Sequence, residues 1–428
     1  MATEKLTGFD FYRQVLGSPK YVVAPMVDQS ELAWRVLSRR YGAQLIYTPM
    51  INAKMLIDHP TKRKVYFDTV TGEEGGKLDR PLLIQFCAND PEKLLAAAQL
   101  LEDHCDGVDL NLGCPQDIAK KGKYGAFLQD DWDLIYKLIN TLHVNLKVPV
   151  TAKFRVFPTV EKTVEYAKML ERAGAQILTC HGRLREQRGQ FTGLADWAKI
   201  RAVKEAVSVP VFANGNIIFP SDIARCLKET GCDAVMSAEP QLYNPALFKH
   251  PEEFADNTPE GLLKQHVPHV DLALEYLQIC KELKTHTALT AIKGHLFKIM
   301  LPGLTQETDL RAKLGKAQIS RDGTWESGAL QPYIEVVEEL KERMDKAMEA
   351  AKGKSADELV TIDPTTGIYT LPVWMAQPHC RPLMDVPPPK APKTKRPRTE
   401  NGNDQETAKR QKVESDASST TPAPLLAA

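Results

Sequence analysis

From Tyr21 to about residue 250, short apolar runs alternate with longer amphipathic segments. The apolar runs are five to seven residues long and end in Gly, Pro or polar residues, a pattern that predicts β-strands. We predict eight strands, at residues 22–27, 45–51, 82–87, 107–113, 150–156, 177–182, 211–215 and 234–238.

Helical patterns follow most of these strands, at residues 31–41, 91–103, 132–144, 159–173, 196–207 and 220–230. Strands that alternate with helices pair in parallel. Eight such units in this length match a closed (β/α)8 TIM barrel of the α/β class. We place the barrel at residues 21–258, after a lead-in at 1–20, with an open doubly wound sheet as the weaker alternative.

From residue 259 the pattern is helical only, and we predict a small all-α domain at 259–352 with helices at 262–283, 287–299, 306–317 and 332–351. The domain is either a dimerisation lid or a recognition module. Its candidate basic face consists of Lys293, His295, Lys298, Arg311, Lys313 and Lys316. An extended linker is predicted at residues 353–385.

The composition supports a large folded core. Of 428 residues, 43% are hydrophobic, yet no run approaches the roughly 18 apolar residues of a membrane span. Because the polar N-terminus lacks the apolar run of a secretory signal, we expect a soluble intracellular protein with no membrane partner. The eight cysteines include no CxxC pair, so we expect neither a structural metal nor a disulfide framework.

The formal net charge is zero, but basic residues concentrate in a tail at 386–428 that we predict to be disordered. Between Lys390 and Lys412, eight basic residues stand against three acidic ones. The two basic clusters between Lys393 and Lys412 resemble a bipartite nuclear import signal. A phosphate-binding arm and a merely solvating tail are the alternatives. We therefore expect the protein in the nucleus, the cytoplasm or both.

The fourth predicted strand leads into candidate chemistry. Asp109 and Asn111 alternate with apolar residues and so share one face of the strand. Cys114 follows at the C-terminal end, where barrels carry their active sites. A lone cysteine is more often a structural residue, but these polar neighbours favour a catalytic role. Asp109 has no role beyond orienting its neighbours.

Cationic and glycine-containing segments end the later strands. Lys153 and Arg155 share one face of the fifth strand, which in a barrel is the inside. A buried lysine without a partner is costly, so we expect an anionic ligand there. After the seventh strand, Gly215 between Asn214 and Asn216 would let backbone amides approach a phosphate. Together these residues predict a phosphorylated cofactor across the barrel mouth.

Several motifs occur in order along the chain: Ala-Pro-Met at 24–26, Asn-Leu-Gly-Cys-Pro-Gln at 111–116, Tyr-Gly-Ala-Phe-Leu at 124–128, Lys-Phe-Arg at 153–155, His-Gly-Arg at 181–183, Ala-Asp-Trp at 195–197, Ala-Asn-Gly-Asn at 213–216 and Ser-Ala-Glu at 237–239. This series resembles the tRNA-dihydrouridine synthases. Residues 114–116 and 124–128 most resemble the eukaryotic branch that acts at positions 16 and 17 of the tRNA D-loop. The likeness extends more loosely to residues 292–298.

The resemblance implies FMN as the cofactor, with NADPH or NADH as a transient reductant. The implied cofactor-binding residues are Pro25, Met26, Val27, Gln85, Lys153, His181, Asn214, Gly215, Asn216, Ala238 and Glu239. One departure weakens the assignment after the eighth strand: Pro240 stands where the family usually has glycine, and proline has no amide proton to donate.

The resemblance further implies that uridines of a tRNA substrate are reduced at their C5–C6 double bond, with Cys114 as the general acid. The candidate substrate contacts are Asn111, Arg155, Arg183, Lys293 and Lys298. A free-pyrimidine oxidoreductase of the dihydroorotate dehydrogenase type and a non-catalytic RNA-binding protein that retained the barrel are the alternatives. The sequence leaves the oligomeric state open.

Overall fold

The computed structural model describes residues 5–59, 61, 76, 79–253, 257–317, 328–364 and 366–381, except for the side chain of residue 190. Eight parallel strands form a closed barrel, in which the first strand pairs with both the second and the eighth. They are β1 (Tyr21–Val23), β2 (Leu45–Tyr47), β3 (Leu82–Cys87), β4 (Gly107–Leu112), β5 (Val150–Arg155), β6 (Leu178–His181), β7 (Val211–Asn214) and β8 (Ala234–Ser237). The predicted TIM barrel is confirmed, and the open sheet is excluded by the pairing of β1 with β8.

Helices pack around the barrel in the predicted order, at Leu32–Arg40, Pro91–Gln99, Trp132–Asn145, Val160–Ala173, Trp197–Ala206 and Pro220–Thr230. Side-chain oxygens at four of their N-termini accept hydrogen bonds from the free amides of the first turn, and these caps are Asp90, Asp131, Thr159 and Asp196. Each cap is the residue directly before the first turn of its helix, so local sequence determines where these helices begin.

Shorter elements lie between the barrel units and at the N-terminus. They are Gly8–Asp10, Phe11–Val15, a two-residue strand at Ile51–Asn52, Ala53–Asp58, Glu102–His104, Asp117–Gly122, Gly125–Leu128, Gly189–Phe191 and Glu239–Tyr243. Phe11 and Tyr12 of the lead-in are buried in a cluster with side chains of β1, β2, β3, β7 and β8.

The helical region contains Pro259–Gln265, His269–Glu282, Leu289–Ile299, Leu301–Gln306, Thr308–Lys316 and Gln331–Ala350. The single helix predicted at residues 262–283 is wrong, because Pro268 separates two helices. Proline has no amide proton and restricts the residue before it, so a helix ends there. The apolar side chains of this region form a second core that includes Ala33, Trp34 and Leu37 of the barrel helix Leu32–Arg40.

The sequence analysis placed His295 on a candidate basic face, but in the structure His295 is not exposed. Its ring is fully buried and stacks on Trp34 at 3.9 Å between ring centroids. Its Nε2 lies 3.1 Å from a carboxylate oxygen of Glu31, which also accepts a hydrogen bond from the Tyr276 hydroxyl. These three contacts join the helical region to the barrel, so His295 is an interface residue.

The prediction of an extended linker at residues 353–385 is also wrong for the residues that the structure describes, 353–364 and 366–381. A short helix, Ala356–Leu359, precedes an antiparallel pair of strands, Thr361–Ile362 and Tyr369–Thr370. Residues 366–381, which we call the C-terminal strap, then pack back on the protein. Trp374 and Ala376 are buried, and the amide of Ala376 donates to the carbonyl of Val267 at 2.9 Å.

The predicted tail at 386–428 lies outside the described residues, as does most of the insertion between β2 and β3. Among the described residues, no helix is long and apolar enough to cross a membrane. Within the same ranges, no group of three or more His, Cys, Asp or Glu side chains is arranged to hold a metal ion.

Candidate active site

The C-terminal ends of the strands bring most of the predicted site residues to one edge of the barrel. In the parallel register, Gln85 lies beside Asp109, Asn111 beside Lys153, and Arg155 beside His181. His181 in turn lies beside Asn214. Residues that are far apart in the sequence are therefore neighbours across β3 to β7, as the alternation along each strand predicts.

A chain of hydrogen bonds crosses β3, β4 and β5 inside the barrel. The fully buried carboxylate of Asp109 accepts from the Thr151 hydroxyl at 2.6 Å and from Gln85 Nε2 at 2.7 Å. Because Gln85 Nε2 donates to Asp109, its Oε1 is free to accept from Asn111 Nδ2, at 2.8 Å. The orientation of each amide is thus determined by its neighbour.

Asp109, which had no role in the sequence interpretation, is the buried anchor of this chain. Burial raises the pKa of its carboxyl to about 6, although hydrogen bonds from Gln85 and Thr151 and the charge of Lys153 oppose the rise. An apolar strand residue could not orient Gln85 in this way. The alternation of Asp109 with apolar neighbours was the signal in the sequence, but its partners come from other strands.

Cys114 is held at the end of this chain. Asn111 Oδ1 accepts hydrogen bonds from the amides of Gly113 and Cys114, at 3.1 and 2.9 Å. Gly125, at φ +63°, packs so closely that a Cβ there would lie 2.8 Å from the Cys114 carbonyl oxygen. The thiol is partly exposed, and burial raises its pKa above the ordinary value. Cys114 is therefore protonated at neutral pH and fixed in position.

Lys153 points into the same mouth and is partly exposed. Burial, followed by the charge of Arg155, lowers the pKa of its ammonium to about 8, while Asp109 opposes the shift. Among the described residues, no hydrogen-bond acceptor is found for this ammonium. A desolvated cation without an acceptor of its own fits an anionic ligand at the mouth.

Arg155 is bound to backbone carbonyls. Its Nε donates to the Gly113 carbonyl at 2.9 Å, and its Nη1 donates to the carbonyls of Leu184 and Gln187 at 2.7 and 2.9 Å. Burial and the charge of Arg183 lower its pKa to about 10. The side chain ties the loop before Cys114 to the loop after β6, so its geometry favours a positioning role over a direct substrate contact.

His181 and Arg183 form a second polar group with Asn216. Arg183 Nη1 lies 3.1 Å from His181 Nε2 and can only donate, so Nε2 accepts and the imidazole proton lies on Nδ1. Burial and the charges of Arg155, Lys153 and Arg183 hold the pKa of His181 well below its ordinary value. His181 is therefore neutral, with its Nδ1 proton available as a donor.

The turn after β7 requires its glycine. Gly215 has φ +115°, and a Cβ there would lie 2.6 Å from the Cβ of Ala195. Asn216, at φ +62°, exchanges two hydrogen bonds with the backbone of Ala195 and accepts a third from Arg183 Nη2 at 3.1 Å. Asn214 Nδ2 donates to the Met236 carbonyl of β8 at 2.9 Å. The turn is thus locked against both neighbouring strand ends.

The loop after β1 lies at the same edge. The Met26 amide donates to the Ser30 hydroxyl at 2.8 Å, and Val27 is exposed. Pro25 is partly exposed between β1 and this turn. Lys298 of the helical region donates to Gln29 at 2.8 Å, which brings its ammonium to this loop.

Lys293 is not brought to the mouth with Lys298. Its ammonium donates to the carbonyl of Gly315, near the end of the helix Thr308–Lys316. A cation at a helix C-terminus satisfies free carbonyls and the helix dipole. The two lysines were assigned together from the sequence, but only Lys298 lies near the site.

After β8, Ala238 leads into the short helix Glu239–Tyr243, and Pro240 occupies its first turn, where no amide proton is needed. Both carboxylate oxygens of Glu239 accept from Arg381 of the strap, at 2.8 and 2.6 Å. Burial opposes its ionisation, but His379 and Arg381 outweigh this effect and lower the pKa of Glu239 to about 2.

Arg381 and His379 are site residues that the sequence analysis missed. The ring of His379 stacks on Tyr243 with centroids 3.8 Å apart. Both residues lie in the segment interpreted as a linker, and only the basic and aromatic residues around Trp374 hinted at a docked segment.

Comparison with known proteins identifies the family of the chain. A family model described as dihydrouridine synthase (Dus) matches residues 22–326, so the chain belongs to the dihydrouridine synthase family and is an oxidoreductase. The resemblance found in the sequence is therefore confirmed at the level of the family.

Two relatives carry the comparison further. The chain is 50% identical over 394 residues to the tRNA-dihydrouridine(16/17) synthase, NAD(P)(+), of Saccharomyces cerevisiae, covering 90% of this chain and 88% of the relative. It is 46% identical over 394 residues to the protein of the same name in Schizosaccharomyces pombe, covering 90% of this chain and 94% of the relative.

Proposed function

We propose that this protein is a flavin-dependent tRNA-dihydrouridine synthase that reduces the C5–C6 double bond of uridines 16 and 17 in the D-loop. NADPH or NADH is the electron source. The observation that carries the proposal is the placement of a protonated, immobilised Cys114 thiol at the same barrel edge as the desolvated Lys153 cation. The names of relatives that are 50% and 46% identical support the same substrate.

The mouth fits FMN, because it offers cations and donors to a planar, phosphorylated molecule. Lys153 lacks an acceptor among the described residues, and Gln85 retains a second amide proton beyond the one donated to Asp109. When bound, FMN would supply the hydride that is added to C6 of uracil. The residues that would hold it are Pro25, Met26, Val27, Gln85, Lys153, His181, Asn214, Gly215, Asn216 and Ala238. Glu239, which the resemblance also implied, binds Arg381 instead.

Cys114 donates the second hydrogen, as a proton from Sγ to C5 of uracil. A thiol whose pKa is raised by burial keeps this proton at neutral pH, as a general acid requires. Asn111 acts through the backbone amides of Gly113 and Cys114 and holds the thiol in place. Arg155 secures the same loop from its other side through the Gly113 carbonyl.

The tRNA must extend beyond the reacting base, which leaves its stack to enter the mouth. Lys298 joins the helical region to the loop after β1 and is the best placed of the predicted substrate lysines. Arg183 lies on the β6 side of the mouth, where it contacts His181 and Asn216. An import signal or RNA-binding arm in the tail at 386–428, and with it a nuclear location, stay predictions.

The substitution Cys114→Ala tests the proposal. We expect the variant to bind flavin and to be reduced by NADPH like the wild type, but to form dihydrouridine in tRNA at least about a hundredfold more slowly, because the loss of a general acid costs roughly that factor. Mass spectrometry of digested tRNA measures the product, and flavin absorbance measures the cofactor.

Full activity of Cys114→Ala would contradict the role of Cys114. Cys105→Ala is the matched control, since Cys105 is buried at the opposite end of β4. Wild-type protein that reduces orotate or free uracil and leaves tRNA unchanged would support the free-pyrimidine alternative. Wild-type protein that binds no flavin would support a non-catalytic role.

A further inference from the structure

Two arginines from distant parts of the chain converge beyond the ends of β6, β7 and β8. Arg183 follows β6 directly, and Arg381 ends the C-terminal strap. The three strand ends are adjacent, because His181 lies beside Asn214 and Asn214 beside Met236. Glu239, which holds Arg381, begins the helix that follows β8. Arg381 is therefore delivered to the side of the mouth where Arg183 and the turn after β7 lie.

The strap is fixed upstream of Arg381. The Trp374 carbonyl accepts from the His269 amide at 3.0 Å, and the Ala376 carbonyl lies 2.7 Å from His266 Nδ1. Two residues before Arg381, the ring of His379 stacks on Tyr243. These anchors fix the backbone near Arg381, and the ion pair with Glu239 restricts its side chain, so a ligand that binds it has less further ordering to overcome.

Arg381 keeps donors beyond those that bind Glu239. A guanidinium has five N–H groups, and the ion pair uses one on Nε and one on Nη2. Burial lowers the pKa of Arg183, and the charge of Arg381 adds to this lowering while Cys380 and Glu239 oppose it. Two cations within electrostatic range of each other at a partly buried edge favour binding of an anion between them.

We propose that Arg183 and Arg381 form a phosphate-binding site at the β6–β8 side of the mouth, with Glu239 as the residue that positions Arg381. This inference rests on the proposed function, which supplies two phosphates of the same chemistry. One is the phosphate monoester of FMN, and the other is a backbone phosphodiester of the tRNA. Planar guanidinium groups suit either, because they bind phosphate oxygens in pairs.

The test uses the full chain and four substitutions: Arg381→Gln, Arg381→Lys, Glu239→Gln and the control Arg201→Gln, whose side chain is exposed on a barrel helix and paired with Glu205. Flavin-free protein is titrated with FMN and with riboflavin, which lacks the phosphate. Protein is separately titrated with tRNA at constant ionic strength. Thermal unfolding of each variant verifies that it is folded.

For Arg381→Gln we expect affinity for the phosphate source to fall by about tenfold to a hundredfold, the effect of one hydrogen bond to a charged group. If affinity for FMN falls and affinity for riboflavin is unchanged, the site binds the phosphate of FMN. If affinity for tRNA falls and affinity for both flavins is unchanged, the site binds a backbone phosphate of the RNA. Arg381→Lys should recover part of the loss, and Glu239→Gln should lose less affinity than Arg381→Gln, because the glutamine still offers one oxygen that can accept a hydrogen bond from Arg381.

Affinities for FMN, riboflavin and tRNA that all stay within about twofold of the wild type would overturn the proposal. So would equal losses for FMN and riboflavin, since the phosphate would then not be involved. Equal losses of affinity in Glu239→Gln and Arg381→Gln would also overturn it, because the ion pair would then only hold the strap in place. Failure of the proposed function is distinguishable, because wild-type protein would then form no dihydrouridine whatever the binding results.

Discussion

The two sides of the barrel mouth differ in how their polar groups are partnered. On the side of β3 to β5, Thr151, Asp109, Gln85 and Asn111 satisfy one another in a continuous chain that ends at the Cys114 loop. On the side of β5 to β8, Arg183, Asn214 and Asn216 are also hydrogen-bonded, but Lys153 is a cation without an acceptor among the described residues. The first side is complete by itself and determines position, whereas the second is electrostatically incomplete and suited to an anionic ligand.

Arg155 lies where the two sides meet, and its removal should have the largest effect. Arg155→Met would leave the carbonyls of Gly113, Leu184 and Gln187 without their donor in a buried site. We expect the free energy of unfolding to fall by about 4 kcal/mol, as for other broken buried networks. Denaturant unfolding measures this loss.

The matched control for Arg155 is Arg201→Met, which removes an exposed ion pair with Glu205 and should change stability by less than about 0.5 kcal/mol. Similar small losses in both variants would mean that the two loops do not depend on Arg155. Arg155 would then not connect the positioning side of the mouth to the ligand-binding side.

Asp109 gives a pH-dependent test of the complete side. Its folded pKa, about 6, lies above the unfolded value, so stability that it contributes at low pH is lost as the pH rises through 6. Asp109→Asn cannot ionise. The unfolding free energy of the wild type minus that of Asp109→Asn should therefore fall by about 2 to 3 kcal/mol between about pH 4 and about pH 7. A difference that is independent of pH would contradict the buried carboxyl described above.

Lys153 allows a second pH-dependent test, on the side of the mouth from β5 to β8. The expected change in free energy is smaller than for Asp109. Its pKa is lowered to about 8, so its positive charge is lost as the pH rises through 8. The affinity of flavin-free protein for FMN should fall by about tenfold between about pH 7 and about pH 9. Lys153→Arg, which stays charged, should show a flat profile in the same fluorescence titration, and a parallel fall in both proteins would exclude Lys153 as the titrating group.

Much of the site was predictable because it depends on strand periodicity. Side chains alternate between faces along a strand, and parallel strands end at a common edge, so the sequence alone could group Gln85, Asn111, Lys153 and His181. The two lysines of the helical region illustrate the limit of this reasoning. Lys293 and Lys298 look equivalent in sequence, yet one binds a helix end and the other the loop after β1.

The amino-acid sequence by itself determined the eight-stranded barrel, the helices around it and the strand-end residues, since these follow from local alternation and capping. Only the tertiary structure decided the contacts between distant segments. Glu31 binds His295 across 264 residues, and Glu239 binds Arg381 across 142. No local pattern encodes such a pairing, because it depends on which surfaces meet once the helical region and the strap fold back on the barrel.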